Sequence, residues 1–135
     1  MTINYLAVLV AGIAAMIVGG LWYSKFLFGK MWMSLSGMTD ASMAEAKSKG
    51  MTKLYVAQFI LALIGAYALA YFVSALQIST VSSLFTIVFW LWLGFQMPLL
   101  AGSVVWENKS KKLFVLKTLG DLVTLAIMGV IIVSM

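Results

Sequence analysis

No charged side chain occurs from Met1 to Ser24, and none occurs from Leu54 to Trp106. Few features restrict a chain more, because the natural solvent for uninterrupted apolar stretches of this length is the hydrocarbon of a bilayer. A hydrocarbon core of about 30 Å takes roughly 20 residues of helix at about 1.5 Å each, so the first stretch holds one span and the second must double back into two. The turn falls at the polar run Gln77, Ser79, Thr80, Ser82 and Ser83. The last stretch, Leu113 to Met135, is long enough to cross, although it carries Lys117 and Asp121. Four spans are therefore predicted, near 4–24, 54–76, 83–106 and 113–134, in a single transmembrane domain covering 1–135. Composition agrees: 64% of the chain is hydrophobic, 10% is charged and the mean hydropathy is +1.08, whereas soluble domains run near half and a quarter. The expected fold class is an all-α membrane protein, four transmembrane helices in an antiparallel bundle.

Orientation follows from the lysines, because cytoplasmic flanks collect positive charge. Lys25, Lys30, Lys47, Lys49 and Lys53 fall in the loop 25–53 between spans 1 and 2, Lys109, Lys111 and Lys112 fall between spans 3 and 4, and Lys117 lies just inside span 4. Four spans put all of them on one face only if both termini lie on the other, so the termini are expected outside. The net charge of +5 then points to the anionic headgroups of membrane lipids as partners, and no nucleic-acid partner is expected. A cleaved signal peptide is the competing reading of the first span. It lacks a positive n-region, and its positive charge follows the apolar run, which is the pattern of a retained anchor.

The loop divides into two expected parts. Phe26, Leu27, Phe28, Met31, Trp32, Met33 and Leu35 with Lys25 and Lys30 suggest a short interfacial segment, its rings at headgroup depth and its ammonium groups in water. A short cytoplasmic helix follows: Ser42 and Glu45 have capping-box spacing, Glu45 and Lys49 form an i, i+4 pair, and Gly50 can end it. It serves either as a gate or docking element or as a solvated connector. Trp22, Tyr23, Trp32 and Trp106 are expected as interface anchors at the same face.

Helices pack in lipid where small residues let backbones approach. Span 1 has Ala7, Ala11, Ala15 and Gly19 in steps of four, and span 2 has Ala62, Ala66 and Ala70 in the same steps with Gly65 beside them. Both stripes are expected as close-contact faces, against each other or across a subunit boundary. In span 3, Pro98 removes a hydrogen bond and clashes with an earlier carbonyl, so a kink is expected near Gly94 to Pro98. Gln96, Ser103 and Glu107 share one face of that helix as a polar stripe. Trp90 and Trp92 read either as the walls of a pocket or as packing residues.

Chemistry is narrowed by what is missing. With no Cys and no His, thiolate nucleophiles, imidazole bases and the usual zinc sites are excluded. The four acids Asp40, Glu45, Glu107 and Asp121 show no paired-carboxylate or metal-ligand spacing. Catalytic residues, a metal and a cofactor are not expected. The methionines, Met31, Met33 and Met38 among them, form no repeated soft-metal motif.

Asp121 is the residue that stands out. It lies roughly 12 Å past Leu113 at about 1.5 Å per residue, and an intramembrane carboxylate costs a few kcal/mol unless it is protonated, paired or facing a wet cavity. Two readings follow. An ion or ligand site would join Asp121 with Lys117, Gln96, Gln58 and Glu107; a structural ion pair of Asp121 with Lys117, one turn earlier, would instead hold the helix in register.

The run Gly20-Leu21-Trp22-Tyr23-Ser24, then Phe28-Gly29-Lys30, Trp32 and Gly37, resembles the signature after the first span of the DUF1761 family. So do Trp92-Leu93-Gly94-Phe95, Glu107-Asn108-Lys109 and Ile127-Met128-Gly129 further on. At the position after Trp-Tyr-Ser, where the family commonly has proline, this chain has Lys25. The resemblance spans nearly the whole chain and implies a four-helix protein of the bacterial inner membrane, without an assigned activity. Two function classes stay open: a small transporter, channel or ligand-binding protein built as a homo-oligomer for an ion or small-molecule substrate, and an accessory or scaffold protein acting through helix and loop contacts. An enzyme is not expected.

Overall fold

The computed structural model describes residues 2–135. Seven α-helices account for most of them: α1 (Tyr5–Trp22), α2 (Gly29–Ser36), α3 (Asp40–Ser48), α4 (Thr52–Ala75), α5 (Val81–Leu91), α6 (Met97–Glu107) and α7 (Lys111–Ser134). A five-residue π-helical segment, Trp92–Gln96, joins α5 to α6 without a break, so Val81–Glu107 runs as one span. With α1, α4 and α7 it makes four helices long and apolar enough to cross a membrane. The protein is an all-α membrane protein.

Local chemistry explains where each helix starts and stops. Asn4, Thr80 and Ser110 each accept a backbone N–H of the first turn of α1, α5 and α7 through a side-chain oxygen, satisfying donors that a helix start leaves unpaired. Gln77 and Asn108 adopt left-handed backbone, φ 53° and 54°. At the end of α4 this lets the N–H of Ile78 reach back to the carbonyl of Val73 at 2.9 Å, the wrapped ending that closes many helices. In the loop, the cap of α3 is Thr39 with Ser42 as its third helical residue, each side chain bonding the other's backbone. Ser42 and Glu45 therefore do not form the capping box, because the helix begins three residues earlier. Glu45 and Lys49 do pair, at 3.2 Å, and Gly50 follows the helix with φ +89°. The expected interfacial segment is itself helical over α2.

Helix α7 holds the bundle together. It packs against α1, α4, α5, α6 and α2, while α1 also lies along α4, and the third span rests mainly on α7. Asn4 Nδ2 donates to the carbonyl of Met135 at 3.4 Å and Ser74 Oγ to that of Thr2 at 3.2 Å, which gathers both termini at one end. The lysines gather at the other. Near the termini the core is dense: Ala11 and Ala66 are fully buried, and Leu69, Ala70, Val73, Leu84 and Val88 complete one cluster with Val8 and Met128. Gly129 belongs to this half, where an added Cβ would stand 2.7 Å from a Leu84 methyl.

Candidate functional site

Towards the lysine end the same helices part. A cavity of about 670 Å³ opens between α1, α4 and α7 and is reached by one residue of the third span. Its walls are cheap to leave empty because they are built of small residues: Ala15, Gly19 and Gly20 from α1, Ala62 and Gly65 from α4. An added Cβ at Gly19, Gly20 or Gly65 would meet nothing within 4 Å. The two small-residue stripes therefore divide by height. Ala7, Ala11, Ala66 and Ala70 are buried, whereas Ala15, Gly19 and Ala62 face the cavity.

Six polar residues of the spans converge there. Asp121, Thr124, Gln96, Gln58, Tyr23 and Tyr55 all line the space. Among the described residues no ion pair reaches Asp121, since the two present join Lys49 to Glu45 and Lys109 to Glu107. Thr124 spends its hydroxyl on the carbonyl of Gly120 at 2.8 Å. Gln96 Oε1 is buried with no hydrogen-bond partner, and a buried acceptor left unsatisfied costs on the order of 1–3 kcal/mol. The Asp121 carboxylate is the one formal charge on the cavity's walls, whose other polar groups are neutral hydroxyls and amides. A ligand carrying positive charge and N–H groups complements it.

Gln96 reaches the cavity through an irregularity in its helix. Pro98 has no N–H to bond an earlier carbonyl, and the preceding turn takes in an extra residue, Met97 N–H bonding to Trp92 O. The expected kink is thus a π-helical segment, a feature common at functional sites. Two tryptophans pin its surroundings: Trp92 Nε1 donates to Thr118 O at 2.7 Å, and Trp22 Nε1 to Leu116 O at 3.1 Å. Gly120 lets the Trp22 ring lie against α7, because a Cβ there would stand 2.8 Å from Nε1.

A family model described as a protein of unknown function, DUF1761, matches residues 6–133. The chain belongs to that family. No curated protein matches it, and neither does any solved structure. In this DUF1761 member the signature Trp-Tyr-Ser and Phe-Gly-Lys folds into a compact reversal that seats the cavity's end wall. Phe28 N–H bonds to Trp22 O at 3.0 Å and Gly29 N–H to Ser24 O at 2.8 Å. The Trp22 and Phe28 rings pack with centroids 4.6 Å apart, tilted by 48°. A Cβ on Gly29 would stand 2.7 Å from the Ser24 and Tyr23 carbonyl oxygens, so only glycine fits. The turn forms with Lys25 in the position where the family commonly has proline.

The expected site is divided by the structure. Asp121, Gln96 and Gln58 come together, and Lys117 and Glu107 do not join them. Lys117 is exposed and makes no ion-pair contact with Asp121. Glu107 is exposed and pairs with Lys109 at 3.3 Å, while Ser103 Oγ donates back to Leu100 O, so the polar stripe of span 3 is not a continuous path. Trp106 is 87% exposed, Trp32 meets Tyr23 edge-on at 6.0 Å, and Trp90 faces outward beside Phe89. Tyr55 escaped notice in the sequence, although the spacing 55, 58, 62, 65 puts it on the Gln58 face of α4.

Proposed function

We propose that this DUF1761 protein binds, and as a homo-oligomer transports, a small organic cation at Asp121. One observation carries the reading: a carboxylate without an ion-pair contact lines a cavity of about 670 Å³ whose other polar groups are all uncharged. Cavities of roughly 300–1,000 Å³ suit small molecules, and the aromatic rings of Tyr23, Tyr55 and Trp22 on the same walls favour a cation over an anion. In this reading the protein is not an enzyme and holds no cofactor. It lies in a bacterial inner membrane with both termini outside, in keeping with lysines on one face.

Uptake of labelled guanidinium and methylammonium into proteoliposomes tests it. Saturable uptake by the wild-type chain, reduced at least about tenfold in Asp121→Asn with unchanged circular dichroism, is the expected result. Equal uptake by the two proteins, or none by the wild type, overturns it. A second reading, as an accessory protein, has one feature in its favour: α3 buries no residue of its own and is free to dock elsewhere. Crosslinking from α3 to one stable partner, with no cation uptake, would select it.

A further inference from the structure

A second concavity lies on the outside of the bundle, between α2 and the first turns of α7, with a volume of about 420 Å³. Phe28, Met31, Val115 and Leu119 line it, and Lys111 and Lys112 bound it at the lysine end. Its back wall is already ordered before anything binds. Trp22 is packed against Phe28 and hydrogen-bonded to Leu116 O, so a guest pays little to arrange it. Among the described residues neither Lys111 nor Lys112 has an acidic partner. They are also the first two residues of α7, where backbone N–H groups and the helix dipole add to the positive field.

We infer that this groove is a binding site for an anionic phospholipid of the surrounding bilayer. An acyl chain fills the apolar wall along α7 while the phosphate meets the two ammonium groups. The juxtaposition separates this site from the general attraction of a basic face to anionic lipid, because the groove supplies a fixed apolar slot directly beside two uncompensated charges. A zwitterionic lipid would match the slot and leave those charges unanswered. A soluble anion would match the charges and leave the slot empty.

Native mass spectrometry of the full chain, released from vesicles of equal parts phosphatidylglycerol and phosphatidylcholine, reads the bound lipid directly. The wild-type chain is expected to retain phosphatidylglycerol selectively. Lys111→Gln with Lys112→Gln should lower that retention by about tenfold or more, and Val115→Trp, which keeps both charges and fills the slot, should lower it comparably. Lys47→Gln with Lys53→Gln removes the same charge elsewhere and should change retention less than about threefold. Equal losses in the two lysine pairs would show diffuse attraction and overturn the inference, as would undiminished retention in Val115→Trp. Melting temperatures in phosphatidylcholine alone separate lost binding from lost folding.

Discussion

The half of the bundle near the termini and the half near the lysines use the same four spans and the same small-residue stripes, yet one is closed and the other open. In the closed half, Ala11 and Ala66 are fully buried and large side chains such as Leu84 and Val88 fill what the alanines leave. In the open half, Ala15, Gly19 and Ala62 continue those stripes, and the third span contributes Gln96 where it contributed aliphatic groups before. Small residues permit close approach in lipid; they do not compel it. Without a bulky partner to fill the space, the same stripe becomes the wall of a cavity.

The largest test of this contrast is one substitution made twice, a single turn apart on α4. Ala66→Leu drives a branched side chain into a sealed contact and should cost about 2–3 kcal/mol of stability. Ala62→Leu enters the cavity and should change stability by less than about 0.5 kcal/mol. Denaturant titration in mixed micelles measures both, and equal costs would mean that the two halves are packed alike.

Glycine replacements sharpen the boundary with a change of sign. Gly129→Ala brings a Cβ to 2.7 Å from Leu84, so it should destabilise by about 1 kcal/mol even after the helix gain. Gly65→Ala meets open space and should stabilise by about 0.5 kcal/mol through helix propensity. Matching signs in the same titration would break the comparison. A smaller effect is expected where the halves meet: Trp92→Phe removes the donor to Thr118 O and should cost about 1 kcal/mol or less, seen as a slightly lower melting temperature.

Individual residues show what could be read in advance. Asp121 was legible because a carboxylate in an apolar span is rare enough to stand alone, and Gln58 and Gln96 were legible as the other polar groups at similar depth. Lys117 makes no ion-pair contact with Asp121 because i, i+4 spacing brings Cβ atoms together without fixing a flexible ammonium against the carboxylate. Glu107 stays apart because it lies roughly 16 Å further along the helix from Gln96, at about 1.5 Å per residue, at the lysine end of α6 where it pairs with Lys109. Tyr55 was legible in principle from its spacing to Gln58, Ala62 and Gly65, which places the four on one face of α4.

The sequence by itself determined the number of spans, the common side of the termini, the gathering of lysines at one end and the presence of an acid within the fourth span. Those properties depend on length and charge against a slab of fixed thickness, which acts on each segment separately. Only the tertiary structure decided that the stripes seal at one end and part at the other, that Gln96 of the third span lines the same cavity as Asp121 and that Asp121 makes no ion-pair contact. Each of these depends on how helices distant in the chain approach one another, and residue spacing within a helix carries no record of that distance.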